Sequence, residues 1–218
     1  MSREPERRKY DSLRRTEQAL MTRAGIAEAA RRLFVARGWA ATTVRDVARE
    51  AGVSVPTVYS AYGDKPGLLR ALADSAGLTA DLAAQLAGLE GAEGPRGQLA
   101  AMAAYDRRLY ERAGDVIGLI REAGRTDADF AAAYRAARVR ADLTRVEVFA
   151  SWPEGTLRVG LDVAGAVDVY AALCNIDVYA TLTGERGWAP DRVEEWWGEA
   201  LVREILALGL VATYLQQA

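Results

Sequence analysis

The segment from Thr42 to Leu69, TTVRDVAREAGVSVPTVYSAYGDKPGLL, admits few folds. Val44, Val47, Ala48 and Ala51 recur at helical spacing, so they give a short helix one apolar face. Thr42 or Thr43 is placed to cap that helix, because a hydroxyl oxygen can accept from an orphan backbone N–H. Gly52 is placed to end it in a left-handed conformation that carries no Cβ penalty. Val53 is then expected to pack inward. Ser54 is placed to cap a second helix, Pro56 suits its first turn, and Val58 is expected to face the core. This leaves Val55, Thr57, Tyr59 and Ser60 pointing outward. Tyr62, Gly63 and Asp64 form the next break, and Asp64 opens a third helix carrying Leu68, Leu69 and Leu72.

Two short helices around a glycine are also an ordinary corner of a helical protein. Two features favour a nucleic-acid partner. The second helix is short yet presents Thr, Tyr and Ser outward, and Lys65 sits in the first turn of the next helix, where the helix dipole disfavours a cation. A phosphate partner accounts for both. In a helix-turn-helix the second helix enters the major groove. Charge is distributed accordingly. Residues 1–75 hold 14 Lys and Arg against 9 Asp and Glu, whereas residues 76–218 hold 14 against 21. The overall charge of −2 hides a basic N-terminal region, as expected of an electrostatic footprint for phosphate.

The rest of the chain reads as helical. Ala, Leu, Arg and Glu dominate, and alternating β-branched runs are scarce. Residues 1–16 form an expected basic, flexible arm with Arg7, Arg8, Lys9, Arg14 and Arg15. A long amphipathic helix is predicted over 17–37 with Ala19, Leu20, Ala24, Ile26, Ala27, Ala30, Leu33 and Phe34 on its apolar face. Helices are then predicted over 65–75, 79–89, a stretch containing Leu99 to Tyr110, 116–123, 128–152, 163–183 and 191–208, with a loop over 88–97. That makes about nine or ten helices by periodicity and no strand. The organisation expected is an arm (1–16), a helix-turn-helix domain (17–75) and a larger helical domain (76–218).

Composition excludes several functions. With no histidine in 218 residues, Ser-His-Asp and Cys-His sites are impossible, and the commonest metal ligand is missing. No metal site, cofactor or catalytic residue is expected. Cys174, the single cysteine, lies in an apolar helical stretch and reads as a buried, inert thiol. No run reaches the ~18 uninterrupted apolar residues of a membrane span, and the charged N-terminus has no signal-peptide core. A cytoplasmic location is the expectation.

AGVSVPTVYSAYGDKPGLL, preceded by AARRLFVARGWAATTVRDVA, resembles the DNA-binding domain of the tetracycline-repressor (TetR) family of bacterial regulators. The resemblance runs over about Arg23 to Leu72. The matching positions are Phe34, Gly38, Thr43, Val44, Val47, Ala48, Ala51, Gly52, Val53, Ser54, Tyr59, Lys65 and Leu68. Pro56, Ala61 and Tyr62 depart from the usual pattern. More loosely, the C-terminal GERGW turn and EEWW helix also resemble the family. The resemblance implies an all-α fold, a three-helix DNA-binding domain followed by a larger ligand-binding and dimerisation domain. It implies a homodimeric repressor that binds a palindromic operator and is released by a small organic effector.

Resemblance and geometry together give Thr43, Tyr59, Tyr62 and Lys65 as phosphate contacts, with Arg45 added near the start of the first motif helix. Val55, Pro56 and Thr57 are expected nearest base edges, Val55 or Pro56 against a thymine methyl. For the dimer, the apolar stripes of the last two helices give Val167, Tyr170, Val178, Val193, Trp196, Trp197, Leu201, Ile205 and Leu208. Polar and aromatic residues on apolar faces give effector-pocket candidates: Tyr105, Asp106, Tyr110, Arg121, Glu122, Trp152, Tyr170, Cys174, Asn175 and Asp177. Internal pairing, such as Arg121 with a carboxylate, is the plainer account of the charged ones. An all-helical enzyme using Asp106, Glu122 or Asp177 is a competing reading, disfavoured by the missing histidine. A helix-turn-helix used only for protein contacts is another, disfavoured by the basic N-terminal region.

Overall fold

A computed structural model describes residues 4–76 and 88–207 of the chain. They are overwhelmingly helical and divide into two compact units, Met1–Ala76 and Gly77–Ala218. The first unit contains α1 (Glu4–Arg37), α2 (Val44–Glu50), α3 (Val55–Tyr62) and α4 (Lys65–Ser75). The second contains α5 (Gly94–Ala123), α6 (Ala128–Ala150), α7 (Val163–Leu173), α8 (Ile176–Ala180) running into a π-helical turn (Thr181–Glu185), and α9 (Pro190–Ile205). The helix expected over 79–89 lies almost entirely outside the described residues, and so does Leu208.

In the first unit, Ile26, Ala29, Ala30, Leu33 and Phe34 of α1 are buried with Val47, Ala48, Val58, Leu68, Leu69 and Leu72. Trp39 completes this core, its ring 5.2 Å from that of Phe34. Two expectations for α1 need correction. The residues read as a flexible arm are helical from Glu4 onward. Their Glu, Arg, Lys and Leu content favours helix, and Pro5 stands in the first turn, where no donor is required. In addition, Ala19, Leu20 and Ala24 are exposed, Leu20 by 62 %. The buried face begins only at Ile26.

The turns between the short helices form as their sequence predicts. Thr43 is the N-cap of α2 in a full capping box with Asp46, and Ser54 and Asp64 cap α3 and α4. Gly52 (φ 67°) and Gly63 (φ 78°) hold the left-handed positions. Gly67 is needed for a different reason. A Cβ there would lie 1.9 Å from the Tyr62 carbonyl oxygen. The bare Cα lets α4 start against the end of α3, while Gly67 N donates to Asp64 Oδ1 at 2.6 Å. Gly67→Ala is therefore expected to force this turn apart and cost about 1–3 kcal/mol, as overpacking does. Urea unfolding measures the loss, and an unchanged midpoint would show that the turn relaxes freely.

In the second unit, Leu99, Met102 and Ala103 pack with Phe149, Ala166, Tyr170, Cys174, Trp197, Leu201 and Ile205 in one core. Two helix boundaries differ from the sequence reading. The segments around 99–110 and 116–123 form a single helix, α5. The intervening ERAGD contains no proline, and Gly114 serves packing, since a Cβ there would lie 2.9 Å from Ile176 Cδ1. Conversely, the helix expected over 163–183 breaks at Cys174. Asn175 caps the new start by accepting from the backbone N–H groups of Asp177 and Val178, and its amide donates to the carbonyls of Ala171 and Ala172. The stretch Val163–Glu185 is long and apolar enough to cross a membrane by length and composition alone. It is broken at this junction and carries Asp168 and Asp177.

One feature is not helical. Leu157, in the loop after α6, forms an isolated antiparallel bridge with Leu206 at the end of α9. Arg158 N donates to Ile205 O at 2.9 Å and Ala207 N to Thr156 O at 3.0 Å.

Candidate nucleic-acid interface and candidate effector centre

The face of α3 away from the core is built from short-range constraints. Val58 alone on this helix is fully buried. Pro56, Tyr59 and Ser60 are exposed, and Val55 and Thr57 are half-buried. The Ser54 cap accepts from Thr57 N, and the two hydroxyls lie 2.8 Å apart, which orders the first turn. Arg45 is exposed at the start of α2.

The other expected phosphate contacts are also engaged within the protein. Thr43 Oγ1 donates to Asp46 Oδ2 and accepts from Asp46 N, while Thr43 N donates to the same carboxylate. These bonds hold the Asp46 carboxyl below its ordinary range, and they leave Thr43 committed to the cap. Lys65 Nζ donates to Trp39 O and sits 4.2 Å from the centroid of the Trp39 ring. The ammonium is thus an ordered cation beside the α3–α4 turn. Tyr62 donates its hydroxyl to Arg23 O at 2.8 Å, and the Arg23 guanidinium lies 4.5 Å over the Tyr62 ring. Arg23 in turn donates to Ala61 O. Trp39 and Arg23 have no motif signature, so sequence reasoning missed both.

In the second unit, the effector candidates separate into distinct places. Asp106 and Tyr170 belong to a buried centre whose third member, Arg145, the sequence reading did not single out. Asp106 Oδ2 accepts from Tyr170 Oη at 2.9 Å and from Arg145 Nη2 at 3.2 Å. Arg145 Nη1 also donates to Asp142 at 2.7 Å, and the guanidinium lies 4.4 Å over the Tyr170 ring. Burial pushes the Asp106 carboxyl up, and Arg145 and Tyr170 oppose that rise. The available signal was helical spacing, because Arg145 stands three residues after Asp142 and four before the buried Phe149.

Aromatic residues surround this centre. Tyr110 donates to Cys174 O at 3.3 Å and meets Trp197 edge-on at 6.1 Å. Burial pushes the Cys174 thiol well up, as an inert side chain requires. Trp197 Nε1 is buried with no hydrogen-bond partner among the described residues. Trp152 donates to Gln98 at 2.5 Å. Tyr105 and Glu122 are half-buried on α5. Both polar groups of Asn175 are engaged at the helix junction. Arg121 and Asp177 pair with each other at a separate surface groove.

The stripes chosen for the dimer mostly face their own core. Val167, Tyr170, Val193, Trp197, Leu201 and Ile205 are buried within the unit. The apolar periodicity was real, but packing against α5 and α6 claims that face. Val178 and Trp196 remain half-buried at the surface, Trp196 edge-on to Trp188 at 6.1 Å.

An exposed second motif helix packed on its neighbours through Val58 is the geometry of a helix-turn-helix, here in a chain with a separate helical unit. Residues 26–72 match the family described as bacterial regulatory proteins, tetR family. Over 64 residues the chain is 48% identical to the HTH-type transcriptional regulator TtgR of Pseudomonas putida, covering 29% of this chain and 30% of that protein. The alignment thus spans under a third of the relative. Similarity to solved structures extends over the fold. The crystal structure of NalD, the secondary repressor of the MexAB-OprM multidrug efflux pump in Pseudomonas aeruginosa, has a TM-score of 0.69 at 20% identity, covering 87% of this chain and 98% of that one. A putative transcriptional regulator from Saccharomonospora viridis in complex with choline has a TM-score of 0.67 at 22% identity, covering 84% and 97%.

Proposed function

We propose that this protein is a cytoplasmic, homodimeric transcriptional repressor that binds a palindromic operator and is released by a small organic effector. The observation that carries the reading is the outward face of α3, with ordered Thr57 and exposed Tyr59 on a helix that gives only Val58 to the core. In this reading Val55, Pro56 and Thr57 approach base edges in the major groove. Arg45, Tyr59 and Lys65 meet phosphates, and Tyr62 and Thr43 position the turn. Two recognition helices engage successive major grooves about 34–36 Å apart, or a multiple of that. The dimer uses the outer side of the C-terminal helices, where Val178 and Trp196 lie, in place of the inward stripe.

The effector is proposed to act on the aromatic centre of the second unit. The unpaired Trp197 donor and the Asp106–Arg145–Tyr170 network support that place. The choline complex among the structural neighbours supports a small-molecule effector, and the efflux-pump repressor supports repression. Effector can shift the dimer away from operator spacing only through unequal affinity for the two states.

Selection of genomic DNA fragments with the purified full chain tests the reading. A recovered palindrome whose binding weakens steeply with salt is the expected result. Binding indifferent to sequence and salt would refute it.

A further inference from the structure

The surface groove that holds Arg121 lies apart from the Asp106 centre and has its own chemistry. It is formed between the end of α5 and the start of α6, with Asp177 of α8 at its side, and has a volume of about 510 Å³. Its floor depends on Gly124, where a Cβ would lie 3.0 Å from Ala131 N and Cα. The missing side chain lets the two helices turn closely enough to converge their arginines.

Three arginines line the groove, Arg121, Arg125 and Arg135, against a single acidic residue, Asp177. Arg121 is paired with Asp177. The side chains of Arg125 and Arg135 are exposed and have no ion-pair or hydrogen-bond partner among the described residues. The groove therefore holds two more cations than anions in a unit whose sequence is otherwise acidic. A concave site lined by one sign of charge focuses its field on a ligand of the opposite sign. Guanidinium forks match carboxylate and phosphate oxygens in pairs. The Tyr134 ring and Ala131 supply apolar surface beside them.

We infer that this groove is a second ligand site, taking a small organic anion whose carboxylate or phosphate head engages Arg125 and Arg135 and whose apolar body lies against Tyr134. The anion also competes with Asp177 for Arg121. That pair ties the end of α5 to α8, so occupancy of the groove reaches the junction at Asn175. The groove shares no lining residue with the Asp106 centre.

Calorimetric titration of the full-length protein with phenyl phosphate and with benzoate tests this, with benzyl alcohol as the uncharged comparison. Arg125→Gln/Arg135→Gln removes two groups that hold nothing else in place, so its fold is retained. Arg108→Gln/Arg186→Gln makes the same change of charge at exposed positions outside the groove. The expected result is saturable binding of at least one anion, weakened about tenfold or more in the groove variant and within about twofold of wild type in the control. Binding of phenyl phosphate but not benzoate selects a phosphate head, and the reverse a carboxylate. Equal weakening in both variants, tight binding of benzyl alcohol, or no anion binding at millimolar concentration would overturn the inference.

Discussion

Thr57→Ala/Tyr59→Ala is expected to weaken operator binding by about 100-fold or more while leaving the fold intact. Each lost side chain removes a contact worth about 1–3 kcal/mol, and a symmetric dimer loses each twice. Tyr59 is 50 % exposed and makes no core contact that the fold requires. Thr57 Oγ1 meets the Ser54 hydroxyl, and without it Ser54 still caps α3 through Thr57 N. Thermal unfolding should therefore match wild type. Electrophoretic shifts at two salt concentrations separate the two contributions. Loss of the phosphate contact lowers the salt slope, and loss of the base-edge contact relaxes sequence preference. A variant that keeps both affinity and preference would remove α3 from the interface.

The second large effect concerns stability. Arg145→Ala leaves the Asp106 carboxylate buried without its counter-ion, and breaking such a pair costs about 3–5 kcal/mol. The double variant Arg145→Met/Asp106→Asn removes both charges and should recover much of the loss, because the pair as a whole contributes far less than its rupture costs. Urea unfolding of both variants tests this, and equal destabilisation would show that the two residues do not act together. The pH dependence carries a sign. Burial raises the Asp106 pKa in the folded state. A raised carboxylate contributes stability that is fully present below its unfolded value of about 3.9 and is withdrawn as pH climbs through the folded value. Without Arg145 the folded value rises further and the window widens. Arg145→Ala should therefore lie nearest wild type in acid and fall away from it as neutrality is approached.

Local chemistry made the first unit legible from its residues. Caps at Thr43, Ser54 and Asp64, left-handed glycines at 52 and 63, and inward Val47 and Val58 all act within a few positions of themselves. Gly67 was invisible because its reason lies across the turn, in the Tyr62 carbonyl. The second unit was legible in kind but not in assignment. Periodicity finds an apolar face and cannot say which neighbour covers it, so Trp197 and Leu201 read as dimer surface when they are core. Asp106 and Tyr170 stood out as polar groups on apolar faces. Arg145 did not, because a basic residue in an alanine- and arginine-rich helix looks like solvated surface until Asp106 and Tyr170, 39 and 25 positions before and after it, are brought alongside.

The Leu157–Leu206 bridge gives the end of α9 a property that helix termini lack. Terminal turns ordinarily fray, and their amides exchange with solvent through small local openings. Here the loop after α6 and the end of α9 are joined across nearly fifty positions, the Ile205 carbonyl accepting from Arg158 N and the Thr156 carbonyl from Ala207 N. The segment from Thr156 to Ala207 becomes a closed circuit. The Arg158 and Ala207 amides should therefore exchange more slowly than those of an open helix end.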